Sequence, residues 1–192
     1  CGFEDPHACD VFTLRTIVDV DPGAQTPLWM SQRLLAAGMR PVSLIVDITN
    51  YVMLETGQPL HAFDADRVSG DLVARRARAG EQLETLDHVV RDLDPEDLVI
   101  ADDSGPLALA GTMGGVTSEI DDRSRNILLE AAHFDPVVVA RMSRRHKLSS
   151  EASRRFERGV DRVVAPYASG LAASLIIQLA GGHSTGLTGE EA

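Results

Sequence analysis

The chain has 192 residues, 44% hydrophobic and 24% charged, a balance that suits one large domain or two small ones packed together. A chain of this size buries roughly 70% of its unfolded surface, so a core needs no disulfide or metal to hold it. The net charge of −11 argues against a general RNA or DNA binder, because phosphate contacts supply most of such affinity. Cys1 and Cys9 are too few and too terminal for a disulfide framework and fit a reducing cytosol. No apolar run reaches the ~18 residues of a membrane span and no charged-then-apolar leader opens the chain. Both points predict a cytoplasmic protein without a membrane partner. The start at Cys1, with no initiator Met, reads as an excised fragment.

Val11–Val20 alternates as a strand, turned by Asp21-Pro22-Gly23. Thr26 is the expected N-cap of a helix with Pro27 in its first position, running over Leu28–Ala37 and closed by Gly38. Ser43–Glu55 carries β-branched residues, yet Leu44, Ile48, Tyr51 and Val52 fall at helical spacing, which predicts a helix ended by Gly57. Pro59–Phe63 reads as extended. From Asp71 to Gly115 the chain reads as short strands at Leu72–Ala77, Leu83–Leu86, Val89–Leu93, Leu98–Ala101 and Leu107–Ala110, with a tight hairpin at Asp87-His88. Ile127–Ala132 is a further strand. Helices follow at Pro136–Arg145, Ser150–Arg158 (capped by Ser150) and Val163–Ala180. The tail from His183 is expected to fray. This pattern predicts an α+β class: a mixed or antiparallel sheet core flanked by helices, as two intimately packed subdomains within one module over 1–192.

Several chemistries are missing from the sequence. There is no phosphate loop ending in Gly-Lys-Ser/Thr, no G-x-G-x-x-G and no nucleophile elbow. The six histidines (His7, His61, His88, His133, His146 and His183) have no metal-ligand spacing, so no metal is expected. Charge is uneven: Arg141–Arg162 holds eight Lys and Arg against three acids, a local excess of five positive charges. Such a face suits one phosphate backbone, or a set of ion pairs that cover apolar surface.

Three segments carry a family resemblance. They are RPVSLIVDITNYVMLETGQPLHAFD (Arg40–Asp64), LALAGTMGGVTSE (Leu107–Glu119) and ILLEAAHFDPVVVARMSRRHKLSSEASRRFERGVD (Ile127–Asp161). In this order and spacing they resemble the editing module of bacterial phenylalanyl-tRNA synthetase beta subunits, the third and fourth domains of that subunit. The resemblance runs from about Glu4 to Gly182.

The resemblance implies hydrolysis of tyrosine mischarged onto phenylalanine tRNA, by a positioned water. An apolar pocket for phenylalanine rejects an added hydroxyl poorly, whereas a second site built to bond that hydroxyl rejects phenylalanine by ~10⁴-fold. It also implies partners: tRNA(Phe), tyrosine as editing substrate, and the alpha subunit with the remaining beta domains in an (αβ)2 heterotetramer. No cofactor is expected in this piece; ATP and Mg would serve the whole synthetase elsewhere. The other reading is a non-catalytic module of the same synthetase that contacts tRNA or aids assembly.

Glu130 stands in an otherwise apolar run and matches the family glutamate that senses the tyrosine hydroxyl; as sequence, it reads equally as the outer face of a strand. His61, Asn50 and Thr49 match positions at the editing site, where an imidazole, an amide and a hydroxyl can orient water; each reads otherwise as structural or surface polarity. Ala110, Gly111 and Gly115, with Ala132 beside them, match a small-residue wall that leaves room for an aromatic ring. Arg144, Arg145 and Lys147 are the tRNA-contact candidates, and basic residues also suit a helix C-terminus.

Overall fold

A computed structural model describes all 192 residues. In chain order the elements are β1 (Gly2–Phe3), β2 (Cys9–Val18), α1 (Leu28–Ala36), α2 (Leu44–Thr56), β3 (Leu60–Asp64), β4 (Val73–Arg76), β5 (Gln82–Glu84), β6 (Val90–Asp92), β7 (Leu98–Asp102), β8 (Gly105–Leu109), β9 (Met113–Gly114), β10 (Ile127–Phe134), α3 (Pro136–Arg145), α4 (Glu151–Phe156), α5 (Ala165–Ala180) and β11 (His183–Glu191).

Two sheets face each other. One is antiparallel, in the order β11-β2-β10-β3; the other runs β1-β4-β7-β8-β9, with β1 parallel to β4 and the rest antiparallel. The chain is therefore α+β with mixed and antiparallel sheets. Strand β10 serves two layers because successive side chains point to opposite faces. Ile127 and Leu129 pack with Met30, Leu34, Ile48, Ala168, Ala172 and Ile176 of the helices. Ala132 and Phe134 pack instead with Ile100, Ala108 and Ala110 of the second sheet. Each fully buried Leu or Ile there contributes about 1.5–3 kcal/mol. The buried face of α5 is mostly alanine, which lets that helix lie close on the sheet.

Local chemistry explains most of the boundaries. Gly57 takes φ +78° and stops α2. Ser150 and Ser153 form a reciprocal capping box at α4. His88 adopts φ +60° in the β5–β6 hairpin. Asp97 is fully buried and is held by Arg145 and by His146 Nε2 at 2.6 Å, which fastens the end of α3 to the second sheet.

Three expectations are corrected. Thr26 does not cap α1; its hydroxyl donates to Asp47 of α2, while Pro27 takes the cap position without a side-chain bond. The tail does not fray: β11 pairs along β2 from His183↔Val18 to Glu191↔Val11, because β2 would otherwise present an open edge. Arg162–Ala180 does reach membrane-spanning length, at 19 residues and mean hydropathy 1.6. Its small residues are packed in the core against the sheet, so it is a core helix.

Hydrogen exchange tests the β11 pairing. The amides of β11 that face β2 are expected to be protected; exchange at free-peptide rates along Ser184–Glu190 would contradict the edge strand.

Candidate functional site

A cleft opens where the two sheets part. Its cavity volume is about 70 Å³. His61 of β3 and Glu130 of β10 form one wall; Ala108, Ala110, Gly111, Met113 and Gly114 form the other; Ala152 and Phe156 of α4 close it. Small residues let the walls pack closely. Gly111 adopts φ +63°, and a Cβ there would lie 2.8 Å from Phe156 and 3.0 Å from Phe134. Gly114 backs directly onto the histidine: a Cβ would lie 2.6 Å from His61 Cε1.

His61 and Glu130 are paired residues on neighbouring antiparallel strands, so their Cβ atoms lie about 5 Å apart on one face. Glu130 is 6% exposed. No group of the chain bonds its carboxyl, and burial alone raises its pKa to about 8. Burial likewise lowers the His61 pKa to about 4, and the ring meets Phe63 edge-on with centroids 4.5 Å apart. Desolvation penalises the charged form of each group. At neutral pH the site therefore presents a protonated carboxyl that can donate and accept, beside a neutral imidazole.

His61 and Leu60 also border a second, larger cleft of about 610 Å³. Thr49 and Asn50 of α2 line it, with Ser43, Asp47, Asp121 and Ser124. Thr49 is buried and its hydroxyl donates to Val46 O at 2.7 Å, whereas Asn50 is half-buried at the cleft wall. No Lys or Arg lines this cleft, so its chemistry suits an uncharged polar group such as a ribose better than a phosphate.

The comparisons with known proteins agree with this architecture. The model of the B3/4 domain matches residues 8–181. The chain belongs to the B3/4 domain family. It is 57% identical over 183 residues to the phenylalanine–tRNA ligase beta subunit of Streptomyces avermitilis, covering 94% of this chain and 22% of that protein. It is 56% identical over 177 residues to the corresponding subunit of Thermobifida fusca, covering 92% and 21%. The chain thus spans about a fifth of the length of the curated relatives it matches. A crystal structure of an N-terminal fragment of the phenylalanyl-tRNA synthetase beta subunit from Pyrococcus horikoshii shares the fold, with TM-score 0.51, 11% identity, and coverage of 75% of this chain and 48% of that one.

The B3/4 domain brings Glu130, His61, Ala110 and Gly111 to one cleft, and Thr49 and Asn50 to the other, with His61 common to both. It does not bring Gly115 there. A Cβ on Gly115 would lie 2.6 Å from Leu107 O and 2.7 Å from Leu83, so this glycine serves close packing behind the wall. Its neighbour Gly114 faces the cleft. Ala132 shares a face with Glu130 but is packed between the sheets, and its carbonyl accepts from Gln58. Ala152 and Phe156 were not among the expected residues. Their i, i+4 spacing within E-A-S-R-R-F marks one helix face, which was the available signal.

The basic stretch is divided. Arg145 bonds Asp97 and Glu96, Arg154 and Arg155 bond Glu151, and Arg162 bonds Glu191. Half of its eight positive charges are therefore used within the domain. Arg144 and Lys147 stand exposed.

Glu130 makes stability depend on pH. Its folded pKa lies above the usual carboxylate value, so the folded state holds a proton that the unfolded chain loses between about pH 4.5 and 8. Stability from this group is present at low pH and is lost as pH rises through 8. Glu130→Gln is expected to leave stability nearly unchanged at pH 4.5 and to raise it by on the order of 2–4 kcal/mol above pH 8. Denaturant unfolding at the two pH values checks it; an equal effect at both would refute the buried, unpaired carboxyl.

Proposed function

We propose that this domain is the editing site of a phenylalanine–tRNA ligase and hydrolyses tyrosyl esters of tRNA(Phe). The observation that carries the reading is Glu130: a buried, protonated carboxyl without a partner, at the closed end of a cleft with small walls. A phenol hydroxyl satisfies both functions of that carboxyl, as donor and as acceptor. Phenylalanine leaves the carboxyl unpaired, and an unsatisfied buried polar group costs about 1–3 kcal/mol. The site thus selects the wrong amino acid by the one group that distinguishes it.

The remaining groups fit the ester. With the ring in the smaller cleft and the ribose in the larger, the ester carbonyl lies near their shared boundary at His61. Water adds its oxygen to the carbonyl carbon, and the bond to the ribose oxygen breaks. Tyrosine leaves as the acid, and the ribose hydroxyl regains a proton. With a pKa near 4, His61 is a weak base, so it orients water or a ribose hydroxyl as a hydrogen-bond acceptor rather than retaining a proton. Asn50, which lines the larger cleft, offers a further donor and acceptor for the ribose. The ester is already activated, so placement of water supplies most of what hydrolysis needs.

The names of the relatives, beta subunits of phenylalanine–tRNA ligase, support the reading as a piece of that ligase; its proposed setting is the cytoplasm, alongside an alpha subunit and the other beta domains. Arg144 and Lys147, exposed outside the clefts, are the proposed contacts for tRNA.

The test is release of tyrosine from tyrosyl-tRNA(Phe) by the assembled enzyme. Glu130→Ala is expected to slow release by about 10²-fold, as loss of a discriminating hydrogen bond and of ring placement implies. His61→Ala is expected to slow it by about 10-fold or more. Wild-type rates in both variants, with phenylalanyl-tRNA still spared, would sink the proposal.

A further inference from the structure

We infer that Gln58 is a positioning residue of this site: its side-chain amide replaces the backbone N–H that Pro59 lacks and fixes β3, with His61, against β10. What that positioning serves rests on the proposed function; the contact itself does not.

The ladder between β10 and β3 pairs Glu130 with His61 and Ala131 with Leu60. The next pair sets Ala132 opposite Pro59. Thr13 of β2 donates its hydroxyl to Ala131 O at 2.7 Å, so the Ala131 carbonyl points toward β2. Carbonyls alternate along a strand, and that of Ala132 therefore points toward β3. An ordinary residue at 59 would meet it with a backbone N–H, but proline has none. Gln58 Nε2 takes that place, donating to Ala132 O at 2.9 Å, and it also donates to Pro59 O at 2.9 Å.

Two features separate this arrangement from space filling. Gln58 is 0% exposed, and its Oε1 has no hydrogen-bond partner. A buried acceptor left unpaired is unfavourable, and Met would fill the same space without it. The nitrogen, facing two carbonyls, has only one acceptable orientation. The residue therefore retains a costly oxygen for the sake of its donor.

The location gives the donor its consequence. The turn Gly57-Gln58-Pro59 joins α2, which carries Thr49 and Asn50, to β3, which carries His61. Gly57 has φ +78°, and the Gln58 backbone N–H donates to Thr56 Oγ1 at 3.2 Å. Ala132 lies two residues beyond Glu130 on the same strand. One amide thus sets the groups of the larger cleft, the shared histidine and the carboxyl in a single frame. Proline at 59 also borders the smaller cleft, so the rigid ring and the surrogate donor act together at its rim.

The test compares Gln58→Met with the double variant Gln58→Met/Pro59→Ala in the full protein that carries this chain. Hydrogen exchange by mass spectrometry reads the β3 peptide, and tyrosine release reads the site. Gln58→Met is expected to speed exchange across 60–64 by about 10-fold while β2 is unchanged. It should lower kcat for tyrosine release by about 10-fold or more with a smaller change in KM. The double variant regains a backbone N–H opposite Ala132 and should recover most of the protection. Unchanged β3 exchange in Gln58→Met, uniform loosening of the whole sheet, or no recovery in the double variant would each overturn the inference. If Gln58→Met does not fold, recovery of folding in the double variant supports it and continued failure overturns it. If the wild-type protein releases no tyrosine while the exchange pattern is as expected, the editing proposal fails and the Gln58 contact stands.

Discussion

A carboxyl buried in a cleft wall without a partner is unfavourable, and the rest of this site is arranged around keeping Glu130 in that state. The carboxyl is held on the cleft face of β10, which is paired on both sides, to β2 and to β3. It meets no cation, because the opposing wall is alanine, glycine and apolar side chains. What is left is protonation, which is why its pKa is raised. Burial likewise holds the His61 pKa down, at about 4. The raised carboxyl pKa and the lowered imidazole pKa are thus consequences of the sheet packing.

Strand β10 makes this possible by belonging to two layers. Its Ile127 and Leu129 anchor it to α2 and α5, so the opposite face is presented rigidly to the second sheet. Across that gap, Gly111 and Gly114 remove side chains where Phe156 and His61 must approach. These glycines let Phe156 and His61 close in around the cleft. The larger cleft, reached past His61, has polar and acidic rims and accepts groups of a different kind.

Much of this was legible in the sequence. The α2 helix could be read through its β-branched residues because Leu44, Ile48 and Val52 kept helical spacing and Gly57 supplied a stop. Glu130 drew notice as a lone acid in an apolar run. Other features depend on contacts distant in sequence. Gly114 and Gly115 are indistinguishable as text; only the fold sets one against His61 and the other against Leu107 O. Thr26 has the chemistry of a cap, but Asp47 of α2 competes for its hydroxyl. The tail lacks strand propensity, with two glycines among His183–Glu191, and is recruited by the open edge of β2. The basic stretch Arg141–Arg162 reads as one face until its partners Asp97, Glu151 and Glu191 come into place.

The central claim is that Glu130 recognises a phenol hydroxyl. A crystal structure of the domain with tyrosine bound tests it most directly. The account predicts the ring in the smaller cleft, with its oxygen about 2.5–3.0 Å from a Glu130 carboxyl oxygen and the amino-acid carboxyl near His61, and no equivalent density with phenylalanine. Tyrosine bound with its hydroxyl turned to solvent, or phenylalanine bound equally well in the same place, would contradict it.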